Sequence, residues 1–183
     1  MNTFSSMGQF DLKIEEEGGN IQVRQEWDQE KNVMKSFGEQ KVIPGIFPDD
    51  FRAFYDDWER HGAAANGSID TITKVATDNG VDTLKIVIDT PWPLSNRVMF
   101  NTRYLEMDVD GGHIMLFCSA GNDAIVADAA IFTEKEKKKL VLATCFMIGF
   151  WVKPAKNDAG EVIGTHMLYF SSVDAGGSIP TFI

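Results

Sequence analysis

The chain has 183 residues, enough for one domain with a real core and too few for a second domain of ordinary size. At 44% hydrophobic and 24% charged, its composition is that of a soluble globular protein. Against 17 basic side chains stand 27 acidic ones, a formal charge of −10. That argues against nucleic-acid binding, which needs a basic surface, and against lasting attachment to anionic membranes. A transient, uncharged membrane contact stays open.

The first ten residues, MNTFSSMGQF, carry no basic region and no apolar core, so no signal peptide is expected. Nor is a myristoylation site expected from a Met-Asn start. Phe10, Leu12 and Ile14 alternate as in a strand. Strands are predicted over 21–28 and 34–42. PDDFRAFYDDWERHG then places Phe51, Phe54, Tyr55 and Trp58 at helical spacing on one stripe. Pro48, Asp49 and Asp50 suit its start, and Arg60, His61 and Gly62 its end. So broad an aromatic stripe should lie on a sheet. Further strands are predicted over 69–77, 81–90, 97–108 and 113–120, and a short helix over Ala124–Ala130. A long strand follows over 139–153, bent near Gly149, and the last covers 164–174. Turns between them are short, so the sheet should be largely antiparallel. The run LVLATCFMIGFWV, Leu140 to Val152, is too short for a membrane-spanning helix.

Few motifs survive inspection. Cys118 and Cys145 lie among apolar residues and read as free, buried thiols of a reducing compartment. His61, His113 and His166 show no metal-ligand spacing. Asn66-Gly67-Ser68 matches a glycosylation sequon that means little without secretion. DVDGG at Asp108–Gly112 starts like a calcium loop, but Ser119 stands where a bidentate glutamate is needed, so a hairpin turn is expected. EKEKKK at Glu134–Lys139 reads as a solvated charge run. No phosphate-binding glycine loop, nucleophile elbow or catalytic triad can be named. No cofactor is implied.

PWPLSNRVMFNTRY, from Pro91 to Tyr104, raises the sharper question. In a strand, Arg97, Met99, Asn101 and Arg103 share one face, and Val98, Phe100, Thr102 and Tyr104 the other. Taken alone, these residues allow two readings. Either the arginines face water, or they face a cavity in which each needs a partner, built in or bound.

This stretch, with VDAGGSIPTFI at Val173–Ile183, resembles the START lipid-transfer domain. The first segment is similar to the P-aromatic-P-x-S-N-R stretch of the family's phosphatidylcholine-transfer branch. The second is similar to its D-P-G-G-x-I-P-x-W ending. The resemblance covers roughly residues 20–183. It implies an α+β helix-grip fold, a curved antiparallel sheet with helices closing a hydrophobic tunnel around one lipid or sterol. It implies that Arg97 approaches a phospholipid phosphate, that Arg103 sits charged inside the tunnel, and that Met99 and Asn101 lie between them. Trp92, Tyr104, Trp151 and Tyr169 would shape the tunnel or hold a choline-like cation.

Several positions depart from the family pattern. Val98 replaces an aspartate, Ala175 a proline and Phe182 a tryptophan, and an arginine of the family is replaced near Ala143. Family members continue into a C-terminal helix that lids the tunnel, and this chain stops at Ile183. The groove so left calls for a longer chain, a second copy covering it, or side chains filling it. The expectation is therefore a single cytoplasmic START-like domain over 1–183. It would bind, and transfer between membranes, one lipid, a phospholipid before a sterol, without catalysis. The alternatives are a protein-interaction module of the same fold and, behind it, a small-molecule cyclase or hydrolase.

Overall fold

A computed structural model describes residues 11–16, 20–28, 33–65, 67–90, 93–107, 111–120, 132, 136 and 140–177. In chain order the elements are β1 (Asp11–Glu16), β2 (Ile21–Asp28), β3 (Val33–Pro44), α1 (Pro48–Asp56), α2 (Trp58–Ala65), β4 (Ile69–Asp78) and β5 (Val81–Ile88). They continue with β6 (Arg97–Met107), β7 (His113–Ser119), β8 (Val141–Leu142), β9 (Thr144–Lys156) and β10 (Val162–Asp174). The strands form one sheet in the order β1-β2-β3-β10-β9-β7-β6-β5-β4, all pairs antiparallel, with β8 lying parallel beside β6. This is the expected helix-grip architecture.

Local chemistry explains the turns. Asn79 and Gly80 both take positive φ between β4 and β5, the backbone that a two-residue hairpin needs and that Asn-Gly adopts at least cost. Between β9 and β10, the Asn157 side-chain oxygen accepts hydrogen bonds from the Ala159 and Glu161 amides, a side-chain turn of the kind asparagine favours.

The predicted single helix is two. The chain breaks at Asp57, and α2 restarts at Trp58 with the aromatic stripe carried across the break. The stripe packs on the sheet as expected. Tyr55 lies 5.8 Å from Phe117 and 5.0 Å from Phe150, and Trp58 lies 4.6 Å from Phe117, ring centre to ring centre. Leu84, Ile86, Met99, Met115, Phe117 and Val152 complete this core, each side chain so buried contributing about 2 kcal/mol. On the opposite face Val87, Val98 and Phe100 pack with Phe132 and Leu140.

The predicted strand over 139–153 is divided. Val141 and Leu142 pair with β6, Ala143 donates its amide to the Val98 carbonyl, and β9 begins at Thr144. Its irregularity falls between Cys145 and Met147 rather than at Gly149. Both cysteines are free, Cys145 buried and Cys118 half-buried. The helix expected over Ala124–Ala130, and Trp92, lie outside the described residues. Among the described residues no helix is long and apolar enough to cross a membrane.

Candidate functional site

Between the helices and the sheet lies a cavity of about 580 Å³, within the range of small-ligand sites. Helix residues Phe54, Tyr55, Trp58 and Gly62 form its roof. Ile69, Ile86, Ile88, Met99, Ile148, Phe150 and Tyr169 form its floor and walls, with Gly67 and Ser68 at the link into β4. The floor follows from strand alternation, since Ile86, Ile88 and Met99 lie on one face of β5 and β6. Among the described residues no charged side chain lines it. Its polar side-chain groups are the hydroxyls of Tyr55, Ser68 and Tyr169 and the indole N–H of Trp58, and burial, with each lying near another titrating group, raises the pKa of Tyr55 and of Tyr169. Both are therefore neutral across the physiological range.

The Arg97-Met99-Asn101-Arg103 face is the inner one, and all four residues are buried. Met99 and Tyr169 line the cavity; the other three of those expected on this side stand around it. Arg103 donates to the Tyr55 carbonyl at 2.9 Å, to Glu59 at 2.8 Å and to Asp82 at 2.5 Å. Lys74 joins the same two carboxylates at 3.5 and 3.0 Å. Two cations thus meet two carboxylates, and the cluster is neutral. Burial pushes the Asp82 carboxyl up, but hydrogen bonds from Thr77, Lys74 and Arg103 outweigh it and hold it down at about 2.

Arg97 is partnered differently. It donates Nε to the Ala175 carbonyl at 3.2 Å and Nη1 to the Ser95 carbonyl. Among the described residues no carboxylate pairs with it. Its clamp joins the two sequence motifs in space, since Ala175 belongs to the second. Gly176 follows at φ +66°, where a Cβ would stand 2.0 Å from the Leu142 carbonyl oxygen, so only glycine lets the chain cross β8 there.

Asn101 has no exposed surface, and neither amide atom has a partner of normal hydrogen-bond geometry, the amide lying against the weakly accepting Cys145 sulfur. Tyr104 and Trp151 are not brought to the cavity. Tyr104 is 47% exposed on the other face of β6. Trp151 alternates with the inward-facing Phe150 and Val152, and lies under the Lys153 ammonium, 4.9 Å from its ring centre. The sequence reading missed the helix roof as cavity wall, because an aromatic stripe serving a core and one serving a cavity look alike. It also missed Asp82 and Glu59. The hairpin register, which sets Asp82 opposite Arg103, was the available signal.

No family model matches the chain, and no curated protein matches it in sequence. Solved structures do match. Human STARD10 aligns at a TM-score of 0.65 and 16% identity, over 98% of this chain and 68% of its own. A STAR-related lipid transfer protein from Xanthomonas axonopodis aligns at 0.66 and 16%, over 93% and 85%. Human StAR-related lipid transfer protein 5 aligns at 0.68 and 12%, over 96% and 77%. At these identities the likeness is one of fold, and the chain has the helix-grip fold of these domains.

Proposed function

We propose that this protein is a START-type domain that binds a single lipid in the cavity between α1, α2 and the sheet, and passes it between membranes without bond-making chemistry. One observation carries the reading. A cavity of about 580 Å³ is walled by aliphatic and aromatic side chains, with no charge among the described residues that line it. Burying a dozen methylenes there is worth about 10 kcal/mol. The likeness to proteins called lipid transfer proteins supports the same reading.

The polar head of that lipid belongs at the Arg97 end. Arg97 lies opposite Ile88, a wall residue, and its carbonyl partners leave its positive charge uncompensated. A phosphate accepts hydrogen bonds from such a guanidinium well, so a phospholipid is favoured over a sterol. Arg103 is not available in the same way, because Glu59 and Asp82 already answer it. Uptake needs the helix roof to move during brief contact with a membrane on the cytoplasmic side.

Native mass spectrometry of the purified protein, followed by lipid extraction, tests this. One lipid per chain is expected. A protein that stays empty after incubation with mixed phospholipid and sterol vesicles overturns the reading.

A further inference from the structure

Asn101 is an unusual residue for its place. It lies on the inner face of β6, between Met99, a cavity wall residue, and Arg103, whose charge is already matched. It is fully buried, and neither Nδ2 nor Oδ1 has a partner of normal hydrogen-bond geometry; the amide's contact with the weakly accepting Cys145 sulfur leaves Oδ1 unanswered, because that thiol points to the Phe117 carbonyl. A buried polar group left in that state has given up its hydration with little in return, and so destabilises the fold. Opposite it stands Leu84, and an aliphatic side chain at position 101 would suit the strand and remove the cost. A fold that keeps a group so expensive has a use for it.

The surroundings say what use. The amide's polar neighbours are the Cys145 sulfur, toward which it donates, and Ser119, opposite it on β7; the wall residue Tyr169 in turn feels the charge of Cys145. The amide therefore sits one side chain behind the cavity wall. On its own strand the intervening residue is Met99, unbranched and easily re-rotated. An amide both donates and accepts, so it suits a hydroxyl or a carbonyl. An ion finds nothing there, since the Arg103 cluster is neutral.

We propose that Asn101 is the specificity residue of the cavity, engaging one uncharged oxygen of the bound lipid, a hydroxyl or an ester carbonyl, when Met99 swings aside. The proposal rests on the lipid-binding reading and adds a polar contact away from the Arg97 end.

The test is competition of dodecanol, methyl dodecanoate and tetradecane against a fluorescent acyl probe. The wild-type protein is expected to bind one or both oxygenated probes about three- to tenfold more tightly than the alkane, the worth of one net hydrogen bond. Preference for the alcohol alone identifies a hydroxyl, and for the ester alone a carbonyl. Asn101→Leu is expected to erase the preference, keep the alkane affinity, and melt at the same temperature as the empty wild type or higher. Asn101→Ala reads the same preference should leucine not fold. Equal affinity for all three probes overturns the proposal while leaving lipid binding intact. A variant that melts lower and keeps the preference also overturns it, showing an amide that serves structure through a buried water. If nothing binds and no lipid is extracted, the lipid-binding reading fails and takes this one with it.

Discussion

Arg103 is tied to the main chain of α1 and to carboxylates on α2 and β5, so its loss would be felt by the fold. Removing it leaves Glu59 and Asp82 to share Lys74 in a partly buried site, one carboxylate in excess, where breaking a fully buried pair would cost about 3 kcal/mol. Arg103→Met should lower the unfolding midpoint in urea and leave ligand selectivity unchanged. Asp82 adds a pH dependence with a definite sign. Its pKa is depressed on folding, so the stability it provides is complete above about pH 4. It is lost as pH falls through its folded value of about 2. Asp82→Asn should flatten the acid limb of a stability–pH curve in that window, and an unchanged limb would refute the pairing. Arg97→Ala should behave otherwise. Losing the clamp on Ser95 and Ala175 lowers affinity for every lipid equally, whereas losing a headgroup contact lowers it for phospholipids only. Vesicle binding assays with a phospholipid and an uncharged lipid separate these, and a selective loss of tenfold or more is expected.

At the scale of elements, the helix roof is the part most sensitive to small changes. Gly62 sits on α2 over the cavity, and a Cβ there would come within 2.3 Å of Trp58 Nε1 and 2.4 Å of Ile72 Cδ1. Glycine to alanine gains about 1 kcal/mol of helix propensity. Overpacking costs about 1–3 kcal/mol, so the clash wins. Gly62→Ala should destabilise slightly and weaken ligand uptake several-fold, read by melting temperature and probe binding. These elements were legible to different degrees. β2, β5, β6 and β7 stood out because turn residues bracket alternating runs. The break at Asp57 was not legible, since the aromatic spacing runs through it. Nor was the pairing of β3 with β10, which joins strands more than a hundred residues apart. Alternation placed both arginines on one face, but only the family resemblance made that face the inner one, and their partners were not legible at all. Glu59 reaches Arg103 only because α2 lies across the sheet, and the Ala175 carbonyl reaches Arg97 only because Gly176 lets the chain cross β8.

For the whole molecule, the charge of −10 sets what the proposed delivery of lipid to a membrane must overcome. A vesicle of anionic lipid repels the protein over a Debye length, about 30 Å at 0.01 M salt and 10 Å at 0.1 M. Raising salt across that range should therefore speed lipid exchange with anionic vesicles several-fold and leave exchange with zwitterionic vesicles unchanged. Fluorescence dequenching of a labelled lipid in stopped flow measures both. Protein–membrane attraction through a basic patch would give the reverse slope on anionic vesicles, because screening would then weaken the encounter. The salt slope thus separates two modes of delivery. If collision is limited by general repulsion, docking is carried by apolar contact alone, and the protein unloads fastest onto uncharged bilayers. If exchange slows with salt, a local cationic surface does the docking despite the net charge, and the buried Arg97 and Arg103 are not that surface.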